Sequence, residues 1–185
     1  LNIGEYKNRD QYLAESVAQV DRLAAMVNDV LRSGSVAEQA LRQEKRLRID
    51  KLITKVVDDY TLLAKTRGMT FMVNTEPTTI RINRDMMRHV ISNLVSNAVR
   101  HGDAGSVIAI TCNQHELAIE NACKPLTKQQ LQHVFDPFYR SSDSTKQHAD
   151  SSGIGLYTVK MLLDAKGLDY DFAPHGRGMR FVVRL

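Results

Sequence analysis

The segment that most constrains the fold is residues 83–102, NRDMMRHVISNLVSNAVRHG, because two sets of its residues recur at helical spacing. Asn83 can cap the N-terminus of a helix, and Gly102 can end it. The apolar set predicts a stripe for core packing and consists of Met87, Val90, Ile91, Leu94, Val95 and Ala98. The polar set predicts the opposite face and consists of His89, Asn93, Asn97, Arg100 and His101.

Two asparagines lie one turn apart in the middle of this predicted helix. Asn is a poor helix former, because its carboxamide competes for backbone hydrogen bonds. The carboxamide oxygens of Asn93 and Asn97 could bind a hard cation such as Mg²⁺, and Arg100 could contact phosphate. From the helix alone, two interpretations stay open: a ligand-binding face, or the solvated face of an ordinary amphipathic helix.

Composition limits the classes of function. The chain has 185 residues, of which 43% are hydrophobic, enough for one domain with an appendage. It contains no apolar run of about 20 residues and no secretory signal, and it begins with Leu1, so a fragment is expected. The net charge of +4 suits an anionic ligand. It does not indicate nucleic-acid binding, because the sequence has no basic cluster interleaved with aromatic residues. Cys112 and Cys123 lack metal-ligand spacing, which indicates reduced thiols in a cytoplasmic setting.

Residues 10–32 show a heptad pattern of apolar residues. Its positions are Leu13, Val17, Val20, Ala24, Val27 and Leu31. Such a seam predicts a helix that packs in a coiled coil or four-helix bundle, the alternative being a long helix packed on its own domain. Residues 33–35 break the pattern, and a polar connection follows. We therefore expect two units, 1–46 and 47–185.

The remainder of the chain alternates helices with strands. A helix is predicted after Asp50, which can cap it, and helices are also predicted over residues 127–134 and 153–166. Strands are predicted over 47–49, 69–74, 79–82, 106–113, 116–121, 168–173 and 179–185. Of these, 106–113 and 116–121 are expected to form a hairpin that turns at residues 113–115. The polar residues 141–152 predict a mobile loop. Because strands come in adjacent pairs between helices, the expected fold class is α+β: a two-layer sandwich with helices over one sheet face.

Two further stretches could contact a ligand. In SSGIGLYTVK, residues 151–160, Gly153 and Gly155 allow a close approach of the backbone, and the following helix N-terminus can bind phosphate. The stretch fits neither a Walker A loop nor a dinucleotide-binding fingerprint. In FDPFYR, residues 135–140, Arg140 could reach phosphate, while Phe135 and Phe138 are expected to anchor the loop and fill the core.

The order of these motifs resembles the ATP-binding catalytic domain of sensor histidine kinases, over about residues 47–185. That family belongs to the GHKL superfamily and shares its Bergerat-type fold, a mixed sheet covered by helices on one face, with type II topoisomerase and chaperone ATPases. The heptad helix resembles the second helix of the kinase dimerisation and phosphotransfer hairpin, on residues 21–23 and 28–31.

The resemblance implies a set of site residues. HVISNLVSNAVRH is similar to the family's N box, in which Asn97 would bind Mg²⁺ and Asn93 would support that site. FDPFYR is similar to the F box, SGIGLYTVK to the second glycine box, and residues 141–152 to the ATP lid. The implied nucleotide-binding residues are Asn93, Asn97, Arg100, His101, Asn121, Leu126, Arg140, Ser152, Gly153, Ile154, Gly155 and Leu156.

The first glycine box departs from the family pattern. Residues 120–126, ENACKPL, stand where the family usually has DxGxG. Asn121 replaces the Asp that accepts a hydrogen bond from adenine, and Cys123 and Pro125 replace both glycines. A neutral acceptor is weaker by about 1 kcal/mol, and Pro125 lacks an N–H. Ser151 also replaces a common lid glycine, and Met179 a small hydroxyl residue. We therefore expect weak or absent nucleotide binding.

The function implied is transfer of the ATP γ-phosphoryl to a histidine on the dimerisation helix, for relay to the receiver domain of a response regulator. The six histidines lack the family's acceptor pattern, so the acceptor is expected to be absent and this fragment inactive alone. Asn93 stands where related ATPases have a Glu base, which predicts slow hydrolysis. The full-length protein is expected to be a homodimer anchored in the bacterial plasma membrane, with this part cytoplasmic.

Other functions remain open or are disfavoured. The main alternative is a degenerate pseudokinase module that binds nucleotide weakly or not at all and acts through protein docking or phosphatase control. A serine kinase of the same fold, such as an anti-sigma factor, is disfavoured by the heptad helix. A topoisomerase-like ATPase is disfavoured by Asn93.

Overall fold

The computed structural model describes residues 44–140 and 153–185, together with the single position Val17. The predicted heptad helix, the connection that follows it and the predicted loop 141–152 therefore lie outside the described residues. Within the described part, no helix is both long enough and apolar enough to cross a membrane.

The described residues form four helices and seven strands. The helices are α1 (Ile49–Thr66), α2 (Arg84–His101), α3 (Lys128–His133) and α4 (Gly155–Lys166). The strands are β1 (Lys45–Arg48), β2 (Thr70–Thr75), β3 (Thr79–Ile82), β4 (Val107–Cys112), β5 (Glu116–Ala122), β6 (Tyr170–His175) and β7 (Gly178–Arg184). The helices and strands predicted within residues 44–140 and 153–185 are thus present, with small shifts at their ends.

Five strands form one mixed sheet in the order β2-β4-β5-β7-β6. β2 and β4 are parallel, and the other neighbours are antiparallel. The β4–β5 hairpin confirms its prediction: the Asn113 side-chain oxygen accepts hydrogen bonds from the backbone N–H groups of His115 and Glu116, at 2.8 and 3.0 Å. Such a bond from Asn to the backbone two residues on is typical of a tight turn.

Two details at the start of the domain differ from the sequence prediction. β3 pairs with β1 rather than with its neighbour β2. The loop between β2 and β3 explains this, because Glu76 N–H binds the Cys112 carbonyl at 2.8 Å and the Thr78 carbonyl accepts from Ile49 N–H at 3.0 Å. Asp50 is not the cap of α1. It lies in the first turn, where its carboxylate accepts from the Arg48 guanidinium.

The core lies between the helices and one face of the sheet. α2 packs against α1 on one side and α4 on the other, and it also contacts β5. Its whole predicted apolar stripe is buried. The sheet supplies alternate residues of the central strands, Ile108, Ile110, Leu117, Ile119, Phe181 and Val183. This period of two is expected for a sheet with a single covered face.

The opposite face of the sheet carries charged side chains. Glu116 binds Arg180 at 2.9 Å and Arg184 at 2.6 Å, and Glu120 lies 3.0 Å from the Arg180 guanidinium. The buried Ala118 lies on the same face of β5, between Glu116 and Glu120. The fold is therefore a two-layer α+β sandwich with helices on one face, as predicted.

Candidate functional site

Helix α2, which carries the polar face, is well capped at its N-terminus. The Asn83 side-chain oxygen accepts hydrogen bonds from Asp85 N–H at 2.9 Å and Met86 N–H at 3.0 Å, which confirms the predicted cap. Asn93 and Asn97 are half-buried on this face, whereas Arg100 is exposed. The predicted helix thus presents both asparagines on one side of its axis.

The Asn93 side chain links α2 to the glycine-rich stretch. Its Nδ2 donates to the His89 carbonyl at 3.0 Å. Its Oδ1 faces Gly155, where an added Cβ would lie only 3.2 Å away. Because Gly155 is the first residue of α4, the backbone at the start of that helix lies directly beside the asparagine face. Two stretches predicted to contact the same ligand are therefore neighbours.

The aromatic stretch FDPFYR adjoins the same glycines. Phe138 N–H donates to the Gly153 carbonyl at 3.1 Å. Gly153 has φ +71°, and a Cβ there would lie 2.9 Å from the Phe138 carbonyl carbon, so the close approach needs glycine. Arg140 follows two residues after this contact. Asn93, Gly155, Gly153 and the segment leading to Arg140 are thus contiguous.

The two phenylalanines of this stretch behave differently. Phe135 packs in the core against Tyr170, Phe172 and Phe181, with ring centroids 5.6 to 6.4 Å apart. Phe138 is 52% exposed and has φ +66°, a region that non-glycine residues rarely adopt. The predicted core role is therefore confirmed for Phe135 and wrong for Phe138, since the turn that meets Gly153 directs Phe138 outward.

Segment 120–126, whose sequence differs from the family's first glycine box, lies beside the turn before β7. Asn121 is half-buried on the helix-covered face of β5, opposite Met179. Leu126 N–H approaches the Met179 sulfur at 3.5 Å, and Cys123 N–H donates to the Arg177 carbonyl at 3.3 Å. Gly178 allows this packing, because a Cβ there would lie 2.0 Å from the Asn121 carbonyl oxygen. Asn121 and Leu126 therefore belong to one cluster.

The electrostatics of this cluster favour neutral groups. Burial raises the pKa of the Cys123 thiol, and the negative charge of Asp103 acts in the same direction, while a hydrogen bond from Asn121 opposes them. The thiol therefore stays protonated at neutral pH. The end of α2 is tied to this cluster, because Asp103 N–H donates to the Ala122 carbonyl at 2.8 Å.

Residues 82–185 match the family of histidine kinase-, DNA gyrase B- and HSP90-like ATPases. The chain belongs to this family. It is 33% identical over 185 residues to sensor histidine protein kinase HK06 of Streptococcus pneumoniae. The match covers 100% of this chain and 41% of HK06. The chain thus spans less than half the length of this curated relative.

Solved histidine kinase structures have the same fold. Acinetobacter baumannii histidine kinase AdeS matches with a TM-score of 0.71 and 21% identity, over 98% of this chain and 87% of that one. Histidine kinase ThkA, solved in complex with the response regulator protein TrrA, matches with a TM-score of 0.70 and 16% identity, over 99% of this chain and 52% of that one. The predicted family and fold are confirmed.

The structure places the predicted site residues in two groups. Asn93, Gly153 and Gly155 lie together, with Ile154 and Leu156 in the same segment, and Asn97 lies one turn further along α2. Arg100 and His101 end α2 near the Asn121 cluster. Ser152 lies outside the described residues. The roles of all these side chains towards a nucleotide remain predictions.

The donor set suits a magnesium ion that arrives with a nucleotide. The described residues contain no group of three or more His, Cys, Asp and Glu side chains that could hold a metal ion. The amide oxygen of Asn97 is a hard, neutral ligand, and Mg²⁺ in proteins usually keeps several waters and binds substrate phosphates. A single side-chain ligand therefore fits Mg²⁺ that is bound chiefly by a triphosphate.

One residue that contacts α2 lies outside the sequence motifs and was not predicted. Arg67, at the end of α1, donates hydrogen bonds to backbone carbonyls in the last turn of α2. The available signal was a basic residue followed by Gly68, which is typical of a helix C-terminus, but it does not reveal a contact 33 residues away.

Proposed function

We propose that residues 47–185 bind MgATP and form the catalytic domain of a sensor histidine kinase. The domain would transfer the γ-phosphoryl group to a histidine on a separate dimerisation and phosphotransfer hairpin. The observation that carries this proposal is the contact between Asn93 and Gly155. It brings the asparagine face and the glycine-led helix, each suited to a different part of MgATP, to one place.

The phosphate end would be held by charge and by backbone N–H groups. The N-terminus of α4 offers unpaired N–H groups and the positive end of a helix dipole, which favour phosphate. Arg100 and Arg140 would contact phosphate oxygens, and Asn97 would bind Mg²⁺. When bound, Mg²⁺ neutralises charge on the phosphoryl oxygens. The chain would thus act mainly by positioning and charge stabilisation.

The base end would be held less firmly. Asn121 offers a neutral amide oxygen to the adenine amino group, and His101 would lie along the nucleotide. Cys123 places a side chain where a glycine would allow close approach, and Pro125 has no N–H. These changes are expected to weaken binding several-fold relative to a carboxylate with two glycines.

The chain's own residues also favour transfer over hydrolysis. Asn93 is the group beside the start of α4, and an amide cannot accept a proton from water at neutral pH. The γ-phosphoryl would therefore be retained for the acceptor histidine. We expect slow ATP hydrolysis by this domain.

The partners follow from the relatives. The sensor-kinase names of the relatives and the ThkA–TrrA complex support a response regulator receiver domain as the downstream partner. Residues 1–46 would supply part of the dimerisation and phosphotransfer region. The complete protein would be a homodimer anchored in the plasma membrane, with this domain on the cytoplasmic side.

Phosphotransfer in trans tests the proposal. A separately made hairpin that carries the acceptor histidine is incubated with this chain, labelled ATP and Mg²⁺, and acid-labile phosphate on the hairpin is measured. Asn97→Ala should abolish the label. Asn74→Ala, which changes an exposed asparagine on β2, is the matched control and should leave it unchanged. Equal labelling with both variants would refute the magnesium role of Asn97.

The alternative prediction was a pseudokinase that acts by docking, because Cys123 and Pro125 occupy both glycine positions of segment 120–126. The relatives, which are named sensor histidine kinases, do not favour it. The same experiment separates the two functions. A folded chain that binds the hairpin but neither binds MgATP nor labels the hairpin would be such a module.

A further inference from the structure

The last turn of α2 is held by a single guanidinium group. A helix leaves its last four carbonyls without helical partners. Here Gly102 N–H binds the Ala98 carbonyl at 2.9 Å, and Arg67 donates to the carbonyls of Val99, of Arg100 at 2.6 Å and of Gly102 at 3.0 Å. One side chain from the end of α1 thus serves three carbonyls.

The planar guanidinium suits this position. Arg presents five N–H donors in a fixed fork, so it can serve several carbonyls at once without losing its charge. The contact is reinforced in the reverse direction, because Gly105 N–H donates to the Arg67 carbonyl at 3.0 Å. Arg67 and the turn after α2 therefore hold each other in place.

The position of this positive charge matters for an anionic ligand. The C-terminus of a helix carries a partial negative charge, which repels phosphate. Yet the proposed phosphate contact, Arg100, lies in this last turn, and Asn97 lies one turn earlier. A cation bound to the terminal carbonyls offsets that negative charge where a triphosphate would approach.

The same turn links the two ends of the proposed nucleotide site. Asp103 N–H donates to the Ala122 carbonyl at 2.8 Å, next to Asn121. A rigid turn at this point fixes the spacing between Arg100, at the phosphate end, and Asn121, at the base end. Loss of Arg67 would leave this spacing to fewer hydrogen bonds.

We propose that Arg67 is a positioning residue for the triphosphate: without touching the nucleotide, it fixes the end of α2 and offsets the negative charge there. This inference rests on the proposed MgATP site. It means that the end of α1 contributes to binding affinity, and that this contribution grows with the negative charge of the ligand. Removal of the charge should therefore weaken MgATP binding more than adenosine binding.

The test compares Arg67→Gln, which removes the charge, with Arg67→Lys, which keeps it. Dissociation constants for MgATP and for adenosine are measured by NMR titration, and folding is checked by thermal melting. Arg88→Gln is the matched control, because Arg88 lies on the first half of α2, where its exposed side chain binds Asp59 at 3.2 Å.

We expect Arg67→Gln to weaken MgATP binding about 5- to 30-fold relative to adenosine binding. Arg67→Lys should keep that ratio within about threefold, and Arg88→Gln should leave both ligands unchanged. Equal loss of both ligands in Arg67→Gln, or no loss, would overturn the inference. If Arg67→Gln does not fold, a changed ratio in Arg67→Lys overturns it.

The controls distinguish failure of this inference from failure of the proposed function on which it rests. Folded wild-type chain that fails to bind MgATP would overturn the proposed function and this inference together. Wild-type chain that binds MgATP, with an unchanged MgATP-to-adenosine ratio in Arg67→Gln, would overturn the inference alone.

Discussion

The side-chain oxygen of Asn93 lies so close to Gly155 that a Cβ there would approach it to 3.2 Å. The asparagine's own Nδ2 is engaged by the His89 carbonyl, which fixes the orientation of the amide. Gly155 therefore leaves space for an oriented carboxamide at the N-terminus of α4. The two residues are 62 positions apart in the sequence, so only the packing of α2 against α4 joins them.

The first prediction concerns Gly155→Ala. The added methyl would push the Asn93 amide away by a few tenths of an ångström, while alanine in a helix is favoured over glycine by about 1 kcal/mol. We therefore expect thermal stability to stay level or rise, and MgATP affinity to fall at least about fivefold. Thermal melting and calorimetric titration measure the two effects separately.

A double-mutant cycle provides its control. In an Asn93→Ala background no amide remains for the methyl to displace, so Gly155→Ala should then change MgATP affinity by less than about twofold. If Gly155→Ala weakens binding equally in both backgrounds, the methyl acts on the ligand or on α4 and not through Asn93.

The second prediction concerns Gly178→Ala. Its Cβ would lie 2.0 Å from the Asn121 carbonyl oxygen, and backbone atoms cannot move aside as a flexible side chain can. We expect a loss of about 3 kcal/mol in the free energy of unfolding, measured with urea. Gly105→Ala is the control. A Cβ at Gly105 meets nothing within 4 Å, so only its positive φ of +76° should cost, by about 1 kcal/mol. Equal losses would contradict the packing argument.

Local patterns were sufficient for much of the fold. The apolar stripe of α2 and the asparagine turn of the β4–β5 hairpin are short-range features, and both were predicted with nearly correct bounds. Long-range pairing was not accessible in the same way. β3 joins β1 because the loop at Thr78 is held by the start of α1, and no periodicity within β3 records that contact.

The site was predictable where motifs carry chemistry. Asn93 and Gly155 each stand out by residue type, and the structure brings them into contact. Arg67 was missed because its partners are backbone carbonyls, which have no residue type to read in a sequence. The outward direction of Phe138 was missed for a similar reason, since it depends on a backbone angle at a single residue.

The third prediction concerns acid stability. The Arg48 guanidinium, at 2.8 and 2.6 Å, lowers the pKa of Asp50 to about 2, with help from Thr78 N–H at 3.3 Å. A lowered carboxyl pKa stabilises the fold above the unfolded value near 3.8, and this contribution is lost as pH falls through about 2. Because the Arg48 side chain is 43% exposed, solvent screens the pair and its contribution to stability is about 1 kcal/mol.

Urea unfolding at pH 5 and at pH 2 checks this prediction. Wild-type chain should lose about 1 kcal/mol more than Asp50→Asn between these two values, because the variant has no carboxyl group to protonate. Asp59→Asn is the control, since that carboxylate is 54% exposed in its pair with Arg88. Identical pH dependence in wild type and Asp50→Asn would show that the pair contributes nothing.

The last prediction concerns Asn121→Asp, which restores a carboxylate at the base end of the proposed site. Hydrogen bonds to a charged acceptor are stronger than those to a neutral amide by about 1 kcal/mol, so MgATP affinity should rise about fivefold. Inosine triphosphate, which lacks the amino group, should gain nothing. Asn74→Asp introduces the same charge on exposed β2 and should affect neither nucleotide. A similar gain for both nucleotides, or a loss of MgATP affinity, would mean that Asn121 does not face the purine amino group.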